Sequence, residues 1–363
     1  MHADRVGIVG VGHTSFGRHA ESSVQELAFD ALRVALADAG LTRDDLDATV
    51  IAAVPEYHRQ RSIAGVVQEY LGLAGRPTWL TEAACASGSA AVRTAWLAIR
   101  SGEHDVVAVI GCQKMTDLPT ADILGLMGRV GDVQWEAGFG TTFPGYYAMF
   151  AQRYAHEYGD VRPGLTAVAV KNHENGALNP HAMFKKAVDA AKVEASDEVA
   201  SPLRVFDCCA NADGAACVIL AREDRARALP ARPVWIAGLG AASDTMSVLT
   251  RENLTSLPAA RRAAREAYAM AGLGPTDVQV AEVHDCFTIA EILMYEALGF
   301  AEPGKGARLI REGVTEIGGR IPVNTGGGLI ACGHPVGATG VKQALEIQRQ
   351  LLGQCGDYQV KSG

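Results

Sequence analysis

The chain has 363 residues, of which 48% are hydrophobic and 20% are charged, and 40 are glycines. This composition is typical of a globular protein with a large core, and the length predicts roughly two domains or two related halves. The formal net charge of -8 disfavours a general polyanion-binding surface, so nucleic acid is not expected as a partner.

No targeting or membrane segment is expected. Residues 1–20 lack a basic start followed by a long apolar stretch, and no apolar run approaches the roughly 18 residues needed to cross a bilayer. We therefore expect a cytoplasmic protein without membrane association. In that compartment its 8 cysteines favour reduced thiols over disulfides, so that catalysis, metal binding or burial must explain each of them.

The chain begins with the pattern of a strand and a helix. Residues 5–12, "RVGIVGVG", are a β-branched run ending in glycines, which predicts a strand followed by a turn. Ser23 and Glu26 have the spacing of a capping box, and apolar residues then recur at helical spacing until Gly40. The pattern predicts a helix over 24–39, and "DDLDATVIAAV" predicts a return strand.

This unit recurs in the second half of the chain. "ADAGLTRDDLDATVIAAV" aligns without a gap with "AMAGLGPTDVQVAEVHDC", so that Gly40 corresponds to Gly272. "SGSAAVRTAWLAIR" likewise aligns with "VGATGVKQALEIQR", where Gly88 and Gly337 open the predicted helices. Strands are predicted before both units, in "VGIVGVG" and "PVWIAGLGAA". Two halves with the same order of elements predict an internally duplicated α/β fold.

One long segment has no counterpart in the other half. Residues 115–201 contain aromatic and amide-rich stretches with helical patterns, and an insertion directly after a core strand commonly forms a cap. We expect this loop domain to cover a ligand groove. The predicted division is an N-terminal half over 1–114 and 202–228, the insertion over 115–201, and a C-terminal half over 229–363.

Two turns at near-equivalent places of the repeat carry reactive side chains. Cys85 in "ACASG" and His334 in "CGHPVGATG" each precede a predicted helix. A helix N-terminus favours thiolate and lowers a cysteine pKa from about 8.5 to roughly 3.5–7.5, and a histidine from the other half supplies a proton acceptor. We predict a nucleophile, Cys85, activated by His334. The alternative is a small buried cysteine and an ordinary loop histidine.

A third motif, "EVHDCFTIAEI", ends the second return strand, where ligands commonly bind in α/β proteins. If the strand continues, His284 and Cys286 share a face, and Cys286 is a candidate second acid–base group. Cys332 next to His334 raises the alternative of a zinc site. The spacings C-x-H and H-x-C lack the paired CxxC of zinc sites, so no metal is expected.

Together, "CASG", "HDCF" and "CGHPVGATG" resemble the thiolase superfamily, specifically the sterol-carrier-protein type and its bacterial and archaeal acetyl-CoA acetyltransferase relatives. The resemblance covers nearly the whole chain and includes "SPLRVFDCCANADGAACVIL" and "KNHENGALNP". It implies a thiolase-like five-layered α/β/α/β/α fold of two halves with a loop domain, usually in a homodimer or tetramer. It also implies coenzyme A and acyl-CoA as substrates without a permanently bound cofactor. Related thiolases often work with a small zinc-ribbon OB-fold protein.

The resemblance also implies a role for each candidate residue. Cys85 is then the acylated nucleophile and, through its backbone N–H, part of a second oxyanion hole; His334 activates it, His284 lines the first oxyanion hole, and Cys286 is the acid–base. The implied reaction is reversible Claisen condensation of acyl-CoA, or thiolytic cleavage of 3-ketoacyl-CoA, through an acyl-cysteine. The alternatives are a C-acyltransferase or aldolase-like relative and a non-catalytic subunit of an acyl-transfer complex.

The repeat sets one further expectation, at the end of the sequence. The helix ending near Arg100 is followed by the strand "DVVAVIGC", and "DYQVKSG" is expected to begin the matching strand before Gly363. Family members continue through a strand hairpin with a glycine-rich loop. The expectation is therefore an incomplete record of a longer protein; a complete chain would leave a sheet edge exposed and impair formation of the acyl-enzyme.

Overall fold

The computed structural model describes residues 5–361, which divide into two compact units. The first unit comprises residues 5–118, 211–237 and 334–355, and the second comprises residues 119–210, 238–333 and 356–361. The predicted halves were defined by internal repetition, whereas these units are defined by packing. Because the two definitions differ, the compact units do not test the predicted division into two halves and an insertion, and that division remains a prediction.

Most strands of the described chain belong to one sheet in the first unit. Its order is β3-β2-β4-β7-β1-β8, with β2 parallel to β3 and β4 and the other neighbours antiparallel, while β5 and β6 pair separately in the second unit. The strands are β1 Val6–His13, β2 Ala48–Ala52, β3 Thr78–Thr81, β4 Val106–Gln113, β5 Glu198–Ala200, β6 Leu203–Arg204, β7 Gly214–Arg222 and β8 Val234–Trp235.

Helices surround this sheet in the first unit and dominate the second. They are α1 Val24–Ala39, α2 Ile63–Tyr70, α3 Ser87–Arg100, α4 Thr120–Gly128, α5 Phe143–Tyr158, α6 Arg162–Leu178, α7 Ala190–Glu194, α8 Glu223–Ala228, α9 Pro258–Ala271, α10 Thr288–Ala297, α11 Gly306–Arg311, α12 Gly328–Cys332 and α13 Val336–Leu352. No helix in residues 5–361 is both long enough and apolar enough to cross a membrane.

The start of the chain folds as its pattern predicts. β1 covers the predicted strand, and α1 begins after Ser23. The Ser23 hydroxyl accepts the Glu26 N–H at 3.2 Å and the Glu26 carboxylate accepts the Ser23 N–H at 2.7 Å, which completes the capping box. Gly40 ends the helix with a left-handed φ of 68°. The predictions of β1 and α1 are therefore confirmed.

The sheet of the first unit carries helices on both faces. Ile110 and Cys112 on β4 pack with α1 in one core cluster, whereas Gly111 between them faces Gly337 of α13. Because successive residues of a strand point to opposite faces, α1 and α13 lie on opposite sides of the sheet. A Cβ on Gly88 would collide with the backbone of α13, so glycine at this position lets α3 and α13 approach closely.

The second repeat forms fewer strands than predicted. Only Val234–Trp235 of "PVWIAGLGAA" is a strand, and residues 278–286 form none, apart from an isolated bridge between Ala281 and Val323. The Val283 N–H is instead accepted by the Asn324 side chain at 2.9 Å. Ala281 does have a backbone neighbour, because its N–H is accepted by the Pro322 carbonyl at 2.9 Å and its carbonyl accepts the Asn324 N–H at 3.0 Å. No strand continues through the "HDCF" motif, so the condition under which His284 and Cys286 would share a strand face is not met.

Two other expectations concern the insertion and the end of the sequence. The helical stretches predicted in residues 115–201 are present as α4 to α7. The 3-10 turn Gly356–Tyr358 overlaps the first two residues of "DYQVKSG", and the described residues that follow it form no strand. The final two residues of that stretch lie outside the described part of the chain. The predicted α/β class agrees with the observed helices and sheet.

Candidate active site

In the first unit, the structure brings together Cys85 and His334 as predicted. Cys85 lies in the 3-10 turn Ala84–Ala86 directly before α3, and His334 lies two residues before α13. The His334 Nε2 atom is 3.4 Å from the Cys85 Sγ atom. Cys85 is half-buried and His334 is only 1% exposed. A thiol and an imidazole are thus within the reach needed for proton transfer.

Strained backbone precedes the thiol. Ala84 has a left-handed φ of 47°, which a residue with a Cβ adopts at an energetic cost. The Ser87 hydroxyl accepts the Ala83 N–H at 2.9 Å and donates to the Ala84 carbonyl at 2.6 Å. The Glu82 carboxylate accepts the Ala84 N–H at 2.6 Å. These three hydrogen bonds hold the turn that sets the direction of the Cys85 side chain.

The proton of Cys85 is held more tightly than the sequence predicts. Burial raises the pKa of the Cys85 thiol to about 12, although a hydrogen bond from its own backbone acts in the opposite direction. The prediction of a pKa lowered by the α3 N-terminus is wrong, because removal of the sulfur from water outweighs the helix terminus. Cys85 is therefore a neutral thiol, and attack by its sulfur requires a base such as His334.

His334 has a second neighbour on the side of its ring away from Cys85. Its Nδ1 atom lies 2.7 Å from the Thr339 Oγ1 atom, and this hydroxyl lies 3.1 Å from the Pro335 carbonyl oxygen. Thr339 is 2% exposed and stands in the first turn of α13. Thr339 lies within the "CGHPVGATG" motif, but no local pattern of the sequence indicates its contact with the imidazole.

A buried amide ties the start of α13 to the sheet. The Gln113 Oε1 atom accepts the N–H groups of Val54 at 2.9 Å and Gly337 at 3.2 Å. Its Nε2 atom donates to the Val54 carbonyl at 3.0 Å and to the His58 ring at 2.7 Å. Burial lowers the pKa of His58 to about 4, which keeps that ring a neutral acceptor. Gln113 thereby fixes the helix turn that follows His334.

His284 and Cys286 lie in the second unit, in the turn before α10. Cys286 is 2% exposed, and its carbonyl accepts the Cys209 N–H at 3.0 Å. His284 is half-buried, and burial lowers the pKa of its imidazole to about 4. His284 is therefore neutral near pH 7, the state in which an imidazole offers one N–H as a hydrogen-bond donor without carrying a charge.

Asp285, between these two residues, anchors their turn. Its carboxylate accepts the N–H groups of Leu329 at 2.7 Å and Ile330 at 3.2 Å, and the Asn172 amide at 2.8 Å. Gly328 has a left-handed φ of 58°, and a Cβ there would collide with this carboxylate. Burial, and then the negative charge of the nearby Glu291, raise the pKa of Asp285.

A network of buried polar side chains surrounds that anchor. Glu291 on α10 is fully buried and accepts hydrogen bonds from Lys171, Tyr295, Asn172 and Asn324. The ammonium group of Lys171 is the cation of this network. Asn172 lies within "KNHENGALNP" and Asp285 within "HDCF", two motifs of the family resemblance whose contact with each other no local pattern indicates.

Comparison with known proteins gives two family matches that leave few residues uncovered. Residues 6–224 match the family model "Thiolase, N-terminal domain", and residues 240–363 match "Thiolase C-terminal domain-like". The first match contains Cys85, and the second contains His284, Cys286 and His334.

Individual relatives resemble the chain over nearly its whole length. An acetyl-CoA acetyltransferase of Methanothermobacter thermautotrophicus is 42% identical over 358 residues, covering 98% of this chain and 93% of the relative. Sterol carrier protein 2 of Homo sapiens is 31% identical over 385 residues, covering 98% of this chain and 68% of the relative. A solved structure named "Ltp2-ChsH2(DUF35) aldolase" superimposes with a TM-score of 0.82 at 28% identity, covering 97% of this chain and 91% of the matched one.

Proposed function

The chain belongs to the thiolase family, and we propose that it is a coenzyme A-dependent acyltransferase that works through an acyl-Cys85 intermediate. The resemblance predicted from "CASG", "HDCF" and "CGHPVGATG" is confirmed by both family matches, as is the thiolase-like α/β fold. The observation that carries the proposed activity is the 3.4 Å distance between the Cys85 sulfur and the His334 imidazole.

In the first half-reaction Cys85 receives an acyl group from acyl-CoA. The Sγ proton moves to His334 Nε2 as the sulfur attacks the thioester carbonyl, and the carbon–sulfur bond to coenzyme A breaks. The departing coenzyme A thiolate takes up one proton. Thioester is exchanged for thioester, so the step is nearly balanced in free energy. Proton transfer by a positioned imidazole typically contributes on the order of 10²- to 10⁴-fold in rate.

In the second half-reaction a second acyl-CoA gives up an α-proton, and its enolate attacks the acyl-Cys85 carbonyl. The new carbon–carbon bond forms as the Cys85 sulfur leaves, giving 3-ketoacyl-CoA; the reverse sequence is thiolytic cleavage. We assign Cys286 as the acid–base for the α-proton and His284 as an oxyanion donor. The neutral state of the His284 ring supports a donor role, because a neutral imidazole has one N–H that can donate a hydrogen bond to the oxyanion as its negative charge develops.

The proposed substrates follow from this chemistry, and the proposed assembly and partner follow from the family resemblance. We propose that coenzyme A enters and leaves as a substrate, with no cofactor held permanently, and that the chain assembles as a homodimer or tetramer. The DUF35 component in the name of the matched aldolase structure supports a partner protein, for which a small zinc-ribbon OB-fold protein is our candidate.

Intact-mass spectrometry after incubation with acetyl-CoA tests the first step. We expect one acetyl adduct on the wild-type protein and none on Cys85→Ser. Cys208→Ser is the matched control, because Cys208 is also half-buried and burial also raises the pKa of its thiol to about 12. The Cys208 thiol donates to the Arg204 carbonyl. The control should keep the full adduct.

A wild-type protein that binds acetyl-CoA and stays unmodified would contradict the acyl-Cys85 intermediate. Exchange of labelled coenzyme A into acetoacetyl-CoA then separates catalysis from a scaffolding role, since a non-catalytic subunit exchanges none. This exchange also requires Cys85, so Cys85→Ser should abolish it while Cys208→Ser keeps it.

Aldolase-type cleavage is a second candidate, favoured by the matched aldolase structure. A retro-aldol step takes a proton from a 3-hydroxyl, breaks the bond between C2 and C3, and releases a carbonyl compound and the protonated enolate of an acyl-CoA. No acyl group passes to Cys85. Cleavage of 3-hydroxyacyl-CoA that survives Cys85→Ser would therefore favour this candidate over thiolysis.

A further inference from the structure

We propose that Thr339 is a positioning residue for His334: its hydroxyl accepts the Nδ1–H of the imidazole and donates to the Pro335 carbonyl, so that Nε2 is the base facing Cys85. The inference rests on the proposed function, in which His334 takes the Cys85 proton. It assigns to Thr339 the part that a third group plays when it orients the base of an activated nucleophile.

Three distances define the chain of contacts. The Cys85 sulfur lies 3.4 Å from His334 Nε2, and His334 Nδ1 lies 2.7 Å from the Thr339 hydroxyl. That hydroxyl lies 3.1 Å from the Pro335 carbonyl oxygen. His334 and Thr339 are 1% and 2% exposed, so bulk water does not reach them and their polar atoms depend on partners inside the protein.

The direction of these hydrogen bonds follows from the proton count. The Thr339 hydroxyl has one proton, and donating it to Nδ1 would place the ring proton of neutral His334 on Nε2. Nε2 would then be unable to accept the Cys85 proton. After transfer both ring nitrogens carry protons, and Thr339 must accept from Nδ1. Donation from the Thr339 hydroxyl to the Pro335 carbonyl serves both states without rearrangement.

The bond from Thr339 to the carbonyl four residues earlier is not unusual by itself. Thr94 on α3, in the same unit, makes the same kind of bond to the Ala90 carbonyl at 3.0 Å. Thr339 differs from Thr94 because its hydroxyl oxygen also contacts the His334 imidazole. The Gln113 side chain also accepts the Gly337 N–H at 3.2 Å, which fixes the helix turn that carries Thr339.

The rate at which iodoacetamide alkylates Cys85, followed by intact-mass spectrometry, tests this role without requiring turnover. Cys85→Ser identifies the adducts that belong to other cysteines. We expect Thr339→Val to slow Cys85 alkylation by roughly tenfold to a hundredfold, because a buried imidazolium N–H loses its acceptor. Thr339→Ser restores the hydroxyl and should stay within about threefold of wild type. Thr94→Val should leave the rate unchanged.

Equal slowing by Thr339→Ser and Thr339→Val would overturn the proposal, because the shape of the side chain and not its hydroxyl would then matter. An unaffected Thr339→Val protein would overturn it as well. If the valine variant does not fold, Thr339→Ala takes its place, and the proposal requires faster alkylation in Thr339→Ser than in Thr339→Ala.

The outcome is separable from that of the proposed function. A wild-type protein that forms no acetyl adduct but shows the expected alkylation series rejects acyl transfer and retains the role of Thr339. An acetyl adduct on Cys85 without any difference in alkylation rate among the Thr339 variants supports acyl transfer and rejects the role of Thr339.

Discussion

The turn that carries Cys85 and the turn that carries His284 and Cys286 are held by different means. The first lies beside a six-stranded sheet and is fixed by short hydrogen bonds around a left-handed Ala84. The second follows a segment without a strand ladder, and its anchor, Asp285, belongs to a buried network of charged side chains that includes Glu291.

The difference shows how a side chain extends the support of a segment whose backbone pairing with residues 322–324 ends at Ala281. The Asn324 side chain accepts the Val283 N–H and also donates to Glu291, so the same residue serves the backbone and the buried charge. Such a network is rigid while every member is paired. Removal of one partner leaves a buried charge without compensation, which is far more costly than loss of a surface contact.

The largest expected effect is on the charged network. Glu291→Gln removes the charge opposite Lys171 while keeping the size of the side chain, and we expect it to destabilise the second unit by about 3–5 kcal/mol. Glu266→Gln is the control, because Glu266 is exposed and pairs with Arg262 one helical turn away. The control should change stability by less than about 0.5 kcal/mol. Hydrogen exchange and thermal unfolding measure both.

A destabilisation of Glu291→Gln no larger than that of the control would show that the network is not what holds the second turn. Hydrogen exchange should locate the destabilisation. Amides of α6, α10 and the segment around Val283 should lose protection before those of the six-stranded sheet. An equal loss of amide protection in both units would contradict the view that the two turns are held by different means.

A smaller effect concerns pH. The pKa of Asp285 is raised in the folded protein, so its contribution to stability is complete below the unfolded pKa of about 3.9 and is lost as the pH rises through the folded pKa. We expect the melting temperature to fall by a few degrees between about pH 4 and pH 7 through this group, because in that range the folded protein holds the proton and the unfolded chain does not. Asp285→Asn should reduce that dependence, although it also lowers stability overall by weakening the bonds to Leu329 and Ile330.

Melting temperatures of both proteins across this pH range are the measurement. Asp44→Asn is the control, because the Asp44 side chain is almost fully exposed and lies in the other unit. The same pH dependence in wild type and Asp285→Asn would mean that other groups cause it.

Much of the first unit was predictable because its signals are local. The capping box at Ser23, the left-handed glycine at Gly40 and the helical spacing between them specify α1 before any tertiary contact is known. The pairing of Cys85 with His334 was predictable for another reason. Internal repetition places equivalent turns near each other, and each turn contributes one reactive side chain.

The parts that sequence missed depend on neighbours that no local pattern contains. Residues 278–286 have the alternation of a strand, but their backbone pairing with residues 322–324 is limited to Ala281, and the Val283 N–H is accepted by the Asn324 side chain. The helix N-terminus beside Cys85 was visible in sequence, whereas the burial that raises its pKa was not. Thr339 has the pattern of an ordinary helix residue until the imidazole beside it is known.

The smallest expected effect is at the strained residue before the thiol. Ala84→Gly removes a left-handed conformation that costs alanine roughly 1–2 kcal/mol, while the glycine adds about 0.5–1 kcal/mol of unfolded-state entropy. We expect a gain in stability below about 1 kcal/mol. Ser62→Gly is the control, because Ser62 has a φ of 54° and its side chain makes no capping hydrogen bond. Ala84→Gly and Ser62→Gly should raise the free energy of unfolding, measured by thermal unfolding, by similar amounts.

Alkylation of Cys85 then decides what positions the sulfur. Hydrogen bonds from Ser87 and to Glu82 persist in Ala84→Gly, so the alkylation rate should stay within about threefold of wild type. A much slower rate in a variant of equal or higher stability would mean that the strain itself directs the thiol. In that case the first turn, like the second, would depend on a costly local feature. The contrast between a turn held by local hydrogen bonds and a turn held by a buried charged network would then no longer hold.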